Sequence, residues 1–213
     1  MKPLRNSVRG MAVAFFLVLS AADAHGANRE ILFDATIQEH SNWCWAASSA
    51  AVLDNAYYTS VSQCTIANYA WNRSDCCGNS TYDWSHACNQ VNDVSAIQRI
   101  LSHWSVASTA YSWAISQSAC VSEINAGRPF VFRWAWDGGG GHFLVGYGYE
   151  GDGNYLWYMN PLPGHGDTLA LYTWVQKATG DHTWSHSVAM ATQSTANDRQ
   201  AALTMVLANN ILM

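Results

Sequence analysis

Residues 130–159 read FVFRWAWDGGGGHFLVGYGYEGDGNYLWYM. Three runs of aromatic and branched side chains, 130–136, 142–149 and 154–159, are separated by glycine-rich breaks at 138–141 and 151–153. Runs of that length bounded by glycine predict antiparallel strands joined by tight turns. Residues 168–175 and 185–192 read as further strands, and Ile31–Phe33 as an edge strand. Upstream the texture changes. Residues 41–57, SNWCWAASSAAVLDNAY, are dense in alanine and free of Gly and Pro. They predict a helix that Ser41 or Asn42 can cap. Residues 60–72 suggest a second short helix. Asp93 can cap a third, whose apolar positions Val94, Ile97, Ile100, Leu101 and Trp104 follow a 3.6-residue period. Residues 117–126 make a fourth, stopped by Gly127 and Pro129. Residues 196–212 could form one more. Helices in the first half and an antiparallel sheet in the second give an α+β fold, with a cleft expected between the halves.

Composition narrows the class. The chain has 213 residues, 49% hydrophobic and only 12% charged, which excludes a disordered polymer. A net charge of −5 argues against nucleic acid or an anionic membrane as main partner. Lys2, Arg5 and Arg9 precede an apolar run at 11–20, and Ala22 and Ala24 follow it. That is the pattern of a cleavable signal peptide, too short to span a bilayer. Residues 1–24 are therefore expected to be removed after Ala24. Residues 25–195 would form one domain and 196–213 a tail. The mature protein would be secreted or periplasmic, with no membrane span, where disulfides are permitted.

The six cysteines then divide by context. Cys44 stands in Trp43-Cys44-Trp45-Ala46-Ala47 at the predicted start of the first helix. Unpaired backbone N–H groups and the helix dipole there are expected to lower its pKa. Covalent catalysis also needs a base, a group to orient the base, and an oxyanion donor. His142 opens a strand after the glycine turn, and Asn160 closes the next strand. On neighbouring antiparallel strands these two can hydrogen-bond. Gln38, six residues before Cys44, can direct its amide to the same point as the Cys44 N–H.

The string Gln38-x5-Cys44-Trp45-Ala46, then Gly140 through Tyr147 around His142, then Asn160-Pro161, resembles papain-like cysteine peptidases. It is most similar to a compact bacterial branch that includes secreted effector proteases; bacteriocin-processing peptidases are more distant. The resemblance covers roughly residues 36–175. It implies a papain-like fold with the active site between the helical and sheet halves. It also implies Cys44 as nucleophile, His142 as general acid/base, Asn160 as the residue orienting it, and Gln38 with the Cys44 amide as oxyanion donors. Peptide-bond hydrolysis would pass through a thioester, with a thiolate–imidazolium resting pair. Two departures stand out. Asn160-Pro161 replaces the Asn-Ser-Trp of classical relatives, and no inhibitory propeptide is expected before Gln38.

Cys64, Cys76, Cys77 and Cys88 favour disulfides over zinc, because adjacent Cys76-Cys77 lacks the usual ligand spacing. Two pairings stay open: Cys64–Cys76 with Cys77–Cys88, or Cys64–Cys77 with Cys76–Cys88. Bridges confined to 64–88 would lie twenty or more positions from Cys44, and so apart from its thiol. Cys120 reads as a buried free thiol. His25, His40, His103, His165, His182 and His186 have surface or loop contexts. Trp43, Trp45, Trp134 and Trp136 could line the cleft. Gly138–Gly141 is either a plain turn or a place where substrate backbone passes close. No cofactor and no metal are called for. The partners expected are a protein or peptide substrate and a restraining inhibitor or immunity protein. Rival functions are an amidase, deamidase or transglutaminase-like toxin on the same scaffold, or an inactive binding module.

Overall fold

The computed structural model describes residues 26–78 and 85–191. The expected signal peptide at 1–24, His25 and the tail at 196–213 lie outside them. The element order is β1 (Arg29–Glu30), α1 (Cys44–Tyr57), α2 (Gln63–Trp71), α3 (Val94–His103), β2 (Ser108–Tyr111), α4 (Gln117–Asn125), β3 (Phe130–Trp136), β4 (His142–Glu150), β5 (Tyr155–Asn160), β6 (Gly166–Leu171), α5 (Tyr172–Gln176), β7 (Lys177–Ala178) and β8 (His182–Met190). The main path of the antiparallel sheet runs β2-β8-β3-β4-β5-β6. β1 pairs with β4, and β7 with β8.

Side chains alternate across this sheet. Val131, Phe143, Val145, Met159 and Val188 pack with Trp45, Leu53, Ile66, Ile97 and Leu101 from α1, α2 and α3. Phe130, Phe132, Trp134, Leu144, Tyr158 and Trp184 pack on the other face, against Cys120 and Ile124 of α4 and Tyr172 and Val175 of α5. Burial on both faces explains why residues 130–149 are apolar in continuous runs rather than alternating with polar residues. It also refines the expected picture of two halves. The sheet is a central layer, and α4, though early in the chain, covers the face opposite α1.

β4 carries a register shift between Gly146 and Gly148 that leaves Tyr147 as an extra residue. Before it, Phe143 and Val145 face the α1 side. After it, Tyr149 joins the opposite cluster. Tyr147 stacks on Phe33 at 5.0 Å. Gly146 sits under the Phe130 ring, which a Cβ would overlap.

Several boundaries differ from expectation, each for a local reason. Residues 168–175 do not continue as a strand. The Tyr172 N–H donates to the Asn154 carbonyl (2.8 Å) and its hydroxyl to the Ile115 carbonyl (2.7 Å), turning the chain into α5. The edge strand forms at 29–30, two residues early, and Ile31 N–H still donates to Tyr147 O (2.9 Å). β2 is short and half-exposed and gave no periodic signal. His182 is fully buried rather than on a loop. Its ring stacks on Trp134 at 3.9 Å and hydrogen-bonds Asp181 and the Trp174 carbonyl.

The disulfides are Cys64–Cys77 and Cys76–Cys88. Cys44 and Cys120 are free, and Cys120 is buried. Asp75, Cys76 and Cys88 place donor atoms together, but both sulfurs there belong to one bridge. Among the described residues no helix is long and apolar enough to cross a membrane.

Gly146→Ala should destabilise the fold by about 1–3 kcal/mol through overpacking against Phe130. Urea unfolding of the two proteins measures this; equal midpoints would show that the ring moves aside freely.

Candidate active site

The start of α1 departs from the other long helices. Ser62, Asp93 and Ser116 each cap their helix by accepting a backbone N–H, from Thr65, Ala96 and Ala119. α1 has Trp43 at that position and no side-chain cap. Ser41 and Asn42, expected to cap it, are engaged elsewhere. Asn89 Nδ2 donates to Ser41 Oγ (2.9 Å), Asn42 N–H donates to Asn89 Oδ1 (3.0 Å), and Asn42 Nδ2 donates to the Asn89 carbonyl (2.8 Å). The indoles of Trp43 and Trp45 donate to the carbonyls of Cys88 (2.7 Å) and Gln90 (3.0 Å). Residues 88–90 thus clasp residues 41–45 on either side of Cys44.

With no cap, the orphan N–H groups of the first turn are left to the thiol. The backbone N–H groups of Phe143 on β4, of Trp45 and of Cys44 itself all act to lower the pKa of the Cys44 thiol. The first of these relates the thiol to the residue next to His142. His142 is the first residue of β4 and Asn160 the last of β5. The register that opposes Val145 to Met159 brings Asn160 diagonal to His142. His142 Nε2 and Asn160 Oδ1 lie 2.8 Å apart. Leu162 N–H also donates to that Oδ1 (3.1 Å). Two donors converging on one atom identify it as the carbonyl oxygen, so Nε2 carries the imidazole proton and Nδ1 keeps its lone pair. Trp136 lies nearly parallel to the His142 ring, 6.0 Å between centroids.

Gln38 is brought alongside by its N–H, which donates to the carbonyl of Pro161 (2.8 Å). Its amide differs from the expectation. Nε2 donates to the carbonyls of both His40 and Ser41 (2.9 Å each), while Oε1 is buried with no partner among the described residues. No amide N–H of Gln38 is left over for an oxyanion in this state, because the loop that delivers the residue also uses its donors.

Gln38, His142 and Asn160 are buried, and Cys44 is partly exposed. Desolvation dominates the titration of the pair. It raises the Cys44 pKa, outweighing the N–H groups and the charge of Arg133, which lower it. It lowers His142 to about 4, against the Asn160 hydrogen bond; the charge of His165 adds to the lowering. The expected thiolate–imidazolium pair is therefore opposed by burial.

Residues 26–179 match the model of the family described as papain-like cysteine protease AvrRpt2. The chain belongs to that family. It is a cysteine-type peptidase of papain-like α+β fold. No curated protein matches it in sequence. Among solved structures it is similar to the peptidase domain of Streptococcus ComA, a bi-functional ABC transporter involved in a quorum sensing pathway. The identity is 15%, over 76% of this chain and 99% of that one, with a TM-score of 0.55. It is also similar to a C39-like peptidase from Bacillus anthracis, at 17% identity over 79% and 100% of the two chains, with a TM-score of 0.54. These likenesses bear on the fold alone.

A cavity of about 620 Å³ opens elsewhere on the peptidase, lined by Tyr69, Arg99, His103 and Ser108 among others. Neither Cys44 nor His142 borders it, so it is not read as the reaction site. Three features around Cys44 were missed from sequence. Asn89 carried no signal, since an asparagine in a turn-rich loop is ordinary. Trp136 was noted only as a cleft aromatic. Arg133 did carry one: it is the only charge in the strand FVFRWAW.

The clasp gives a contrast between the two bridges. Replacing either pair by serine, C64S/C77S or C76S/C88S, should cost about 2–4 kcal/mol, the loops being nearly equal in length. Only C76S/C88S should also cut peptide hydrolysis several-fold under conditions where both variants are folded, since Cys88 accepts from Trp43. Equal residual activity would remove the clasp from the account.

His142 also sets a pH dependence. Between pH 6.5 and about 4 the unfolded chain binds a proton at this residue that the folded chain does not, so stability falls as pH falls through that window. His142→Gln should flatten the slope by about 3 kcal/mol over the interval. Chemical denaturation at several pH values reads it, and an unchanged slope would mean that His142 titrates normally.

Proposed function

We propose that the peptidase hydrolyses peptide bonds through a thioester on Cys44. The arrangement that carries this reading is the His142–Asn160 hydrogen bond, which leaves Nδ1 unprotonated on the strand whose next N–H acts on the Cys44 thiol. As the sulfur bonds to the scissile carbonyl carbon, the thiol proton passes to His142 Nδ1. Asn160 Oδ1, accepting from Nε2–H, stabilises the imidazolium formed. Collapse breaks the C–N bond, and His142 gives the proton to the departing amine. Water then attacks the thioester with His142 again as base, which regenerates the thiol and releases the acid product.

The oxyanion is assigned to the Cys44 N–H at the uncapped end of α1, with Gln38 as second donor. Gln38 supplies it by exchanging one of its two loop carbonyls for the substrate oxygen.

We further propose that the protein is exported and cleaved after Ala24, and that an inhibitor partner restrains it. The signal-like segment and two disulfides support export.

Mature protein and Cys44→Ala should be compared on a complex protein digest by sequencing the new N-termini. Wild type should generate a set of cuts that Cys44→Ala lacks, and His142→Ala should slow them about 10²–10⁴-fold. Identical digests would overturn the reading. A gain of about one mass unit at glutamine without chain cleavage would assign a deamidase instead.

A further inference from the structure

Arg133 is the residue the mechanism leaves unused. It lies in β3 opposite Phe143 of β4, the residue after His142, and its charge acts on the Cys44 thiol. Its guanidinium packs on the two glycines before His142. Nη2 donates to the Gly140 carbonyl (2.9 Å), and a Cβ on Gly141 would overlap the guanidinium. Nη1 donates to Ser185 Oγ (3.1 Å). Ser185 is the extra residue where β8 slips past β3 between Arg133 and Trp134, so the bulge aims its hydroxyl at the arginine. These two contacts use two of five N–H donors. Among the described residues no carboxylate pairs with Arg133, although the chain carries an excess of acids. Of the other described arginines, Arg73 and Arg128 each hold a bidentate carboxylate, while Arg29 and Arg99 are in no ion pair.

A half-buried cation, fixed from two sides, with donors to spare and no counterion, is built to receive an anion. Its place beside the thiol and the base restricts which one. Gly140 and Gly141 lead directly into His142, so a substrate held beside that residue would lie within reach of the guanidinium packed on them. The missing side chain at Gly141 leaves room for Arg133.

We propose that Arg133 is a specificity-determining residue that binds a carboxylate of the substrate next to the scissile bond. The assignment rests on the reading of Cys44 as nucleophile. The carboxylate has two sources, an Asp or Glu side chain within the peptide or a free C-terminus, and the guanidinium recognises either. Its charge also acts on the Cys44 thiol, but that effect is the same for every substrate and does not produce selectivity.

The test uses mature protein and peptides built on one cut sequence found in the digest. One series replaces each residue flanking the cut by Asp, Asn, Glu or Gln with both termini blocked. A second compares a free with an amidated C-terminus. Wild type should favour the acid over its amide by about 10–100-fold in kcat/KM at one position, or the free terminus over the amidated one; which series responds names the source. In Arg133→Gln that ratio should fall to about one, whatever happens to the absolute rate. Arg133→Lys should retain part of it, keeping the charge but losing the fork. A wild-type ratio near one in both series, or an equal ratio in Arg133→Gln, overturns the proposal. If Arg133→Gln does not fold, an unchanged ratio in Arg133→Lys does the same. Cuts that persist in Cys44→Ala would instead sink the peptidase assignment itself.

Discussion

The clasp of Asn89 on residues 41 and 42 is the contact on which the site depends. Helices in this chain are ordinarily closed by a Ser or Asp side chain, and α1 is not. A cap at residue 41 or 42 would have satisfied the first-turn N–H groups and left the thiol only water to meet. By taking both side chains, Asn89 keeps the end of the helix open, and the Trp43 and Trp45 indoles pin its direction through the carbonyls on either side of Asn89. The bridge at Cys88 then fixes the strap that holds the clasp. Stability and the proposed chemistry are joined there: a loop with little apolar surface of its own is stapled covalently, and its backbone holds the residues on either side of Cys44.

The sheet supplies the other half under a different constraint. Buried on both faces, its strands cannot slip register without exposing one cluster or the other. That rigidity holds His142 and Asn160 on neighbouring strand ends, and Leu162 N–H settles which way the asparagine amide points. Where classical relatives have Ser after the asparagine this chain has Pro161. Pro161 has no N–H, and its carbonyl accepts from Gln38, which ties the Gln38 loop to the Asn160 strand. Trp136 on β3 lies nearly parallel to the His142 ring.

Much of this was legible in the chain. α3 announces itself through Asp93 and the spacing of Ile97, Ile100 and Leu101, and α4 through its stop at Gly127 and Pro129. The strands from 130 to 160 do so through composition. What was not legible depends on partners far apart in sequence. Ser41 reads as a cap until Asn89, 48 positions away, claims it. Tyr172 reads as strand until Ile115 takes its hydroxyl. The family motif names Gln38 but not the state of its amide, which His40 and Ser41 decide locally. The lowered thiol pKa expected from the helix dipole was a correct cause outweighed by a larger one. Dipole and N–H groups do act on Cys44, and the desolvation that comes with tertiary packing exceeds them.

That reversal bears on a hazard specific to this molecule. Twenty residues of sequence do not keep the bridges away from the nucleophile, for Cys88 accepts a hydrogen bond from the residue next to Cys44. A thiolate in that position would be poised to attack a disulfide nearby, since exchange proceeds through the thiolate and not the thiol. Burial that raises the Cys44 pKa lowers the thiolate fraction at rest, and the fully buried Trp43 indole stands between the strap and the helix end. The same packing that opposes ionisation of Cys44 therefore also favours the survival of two structural bridges beside a free thiol.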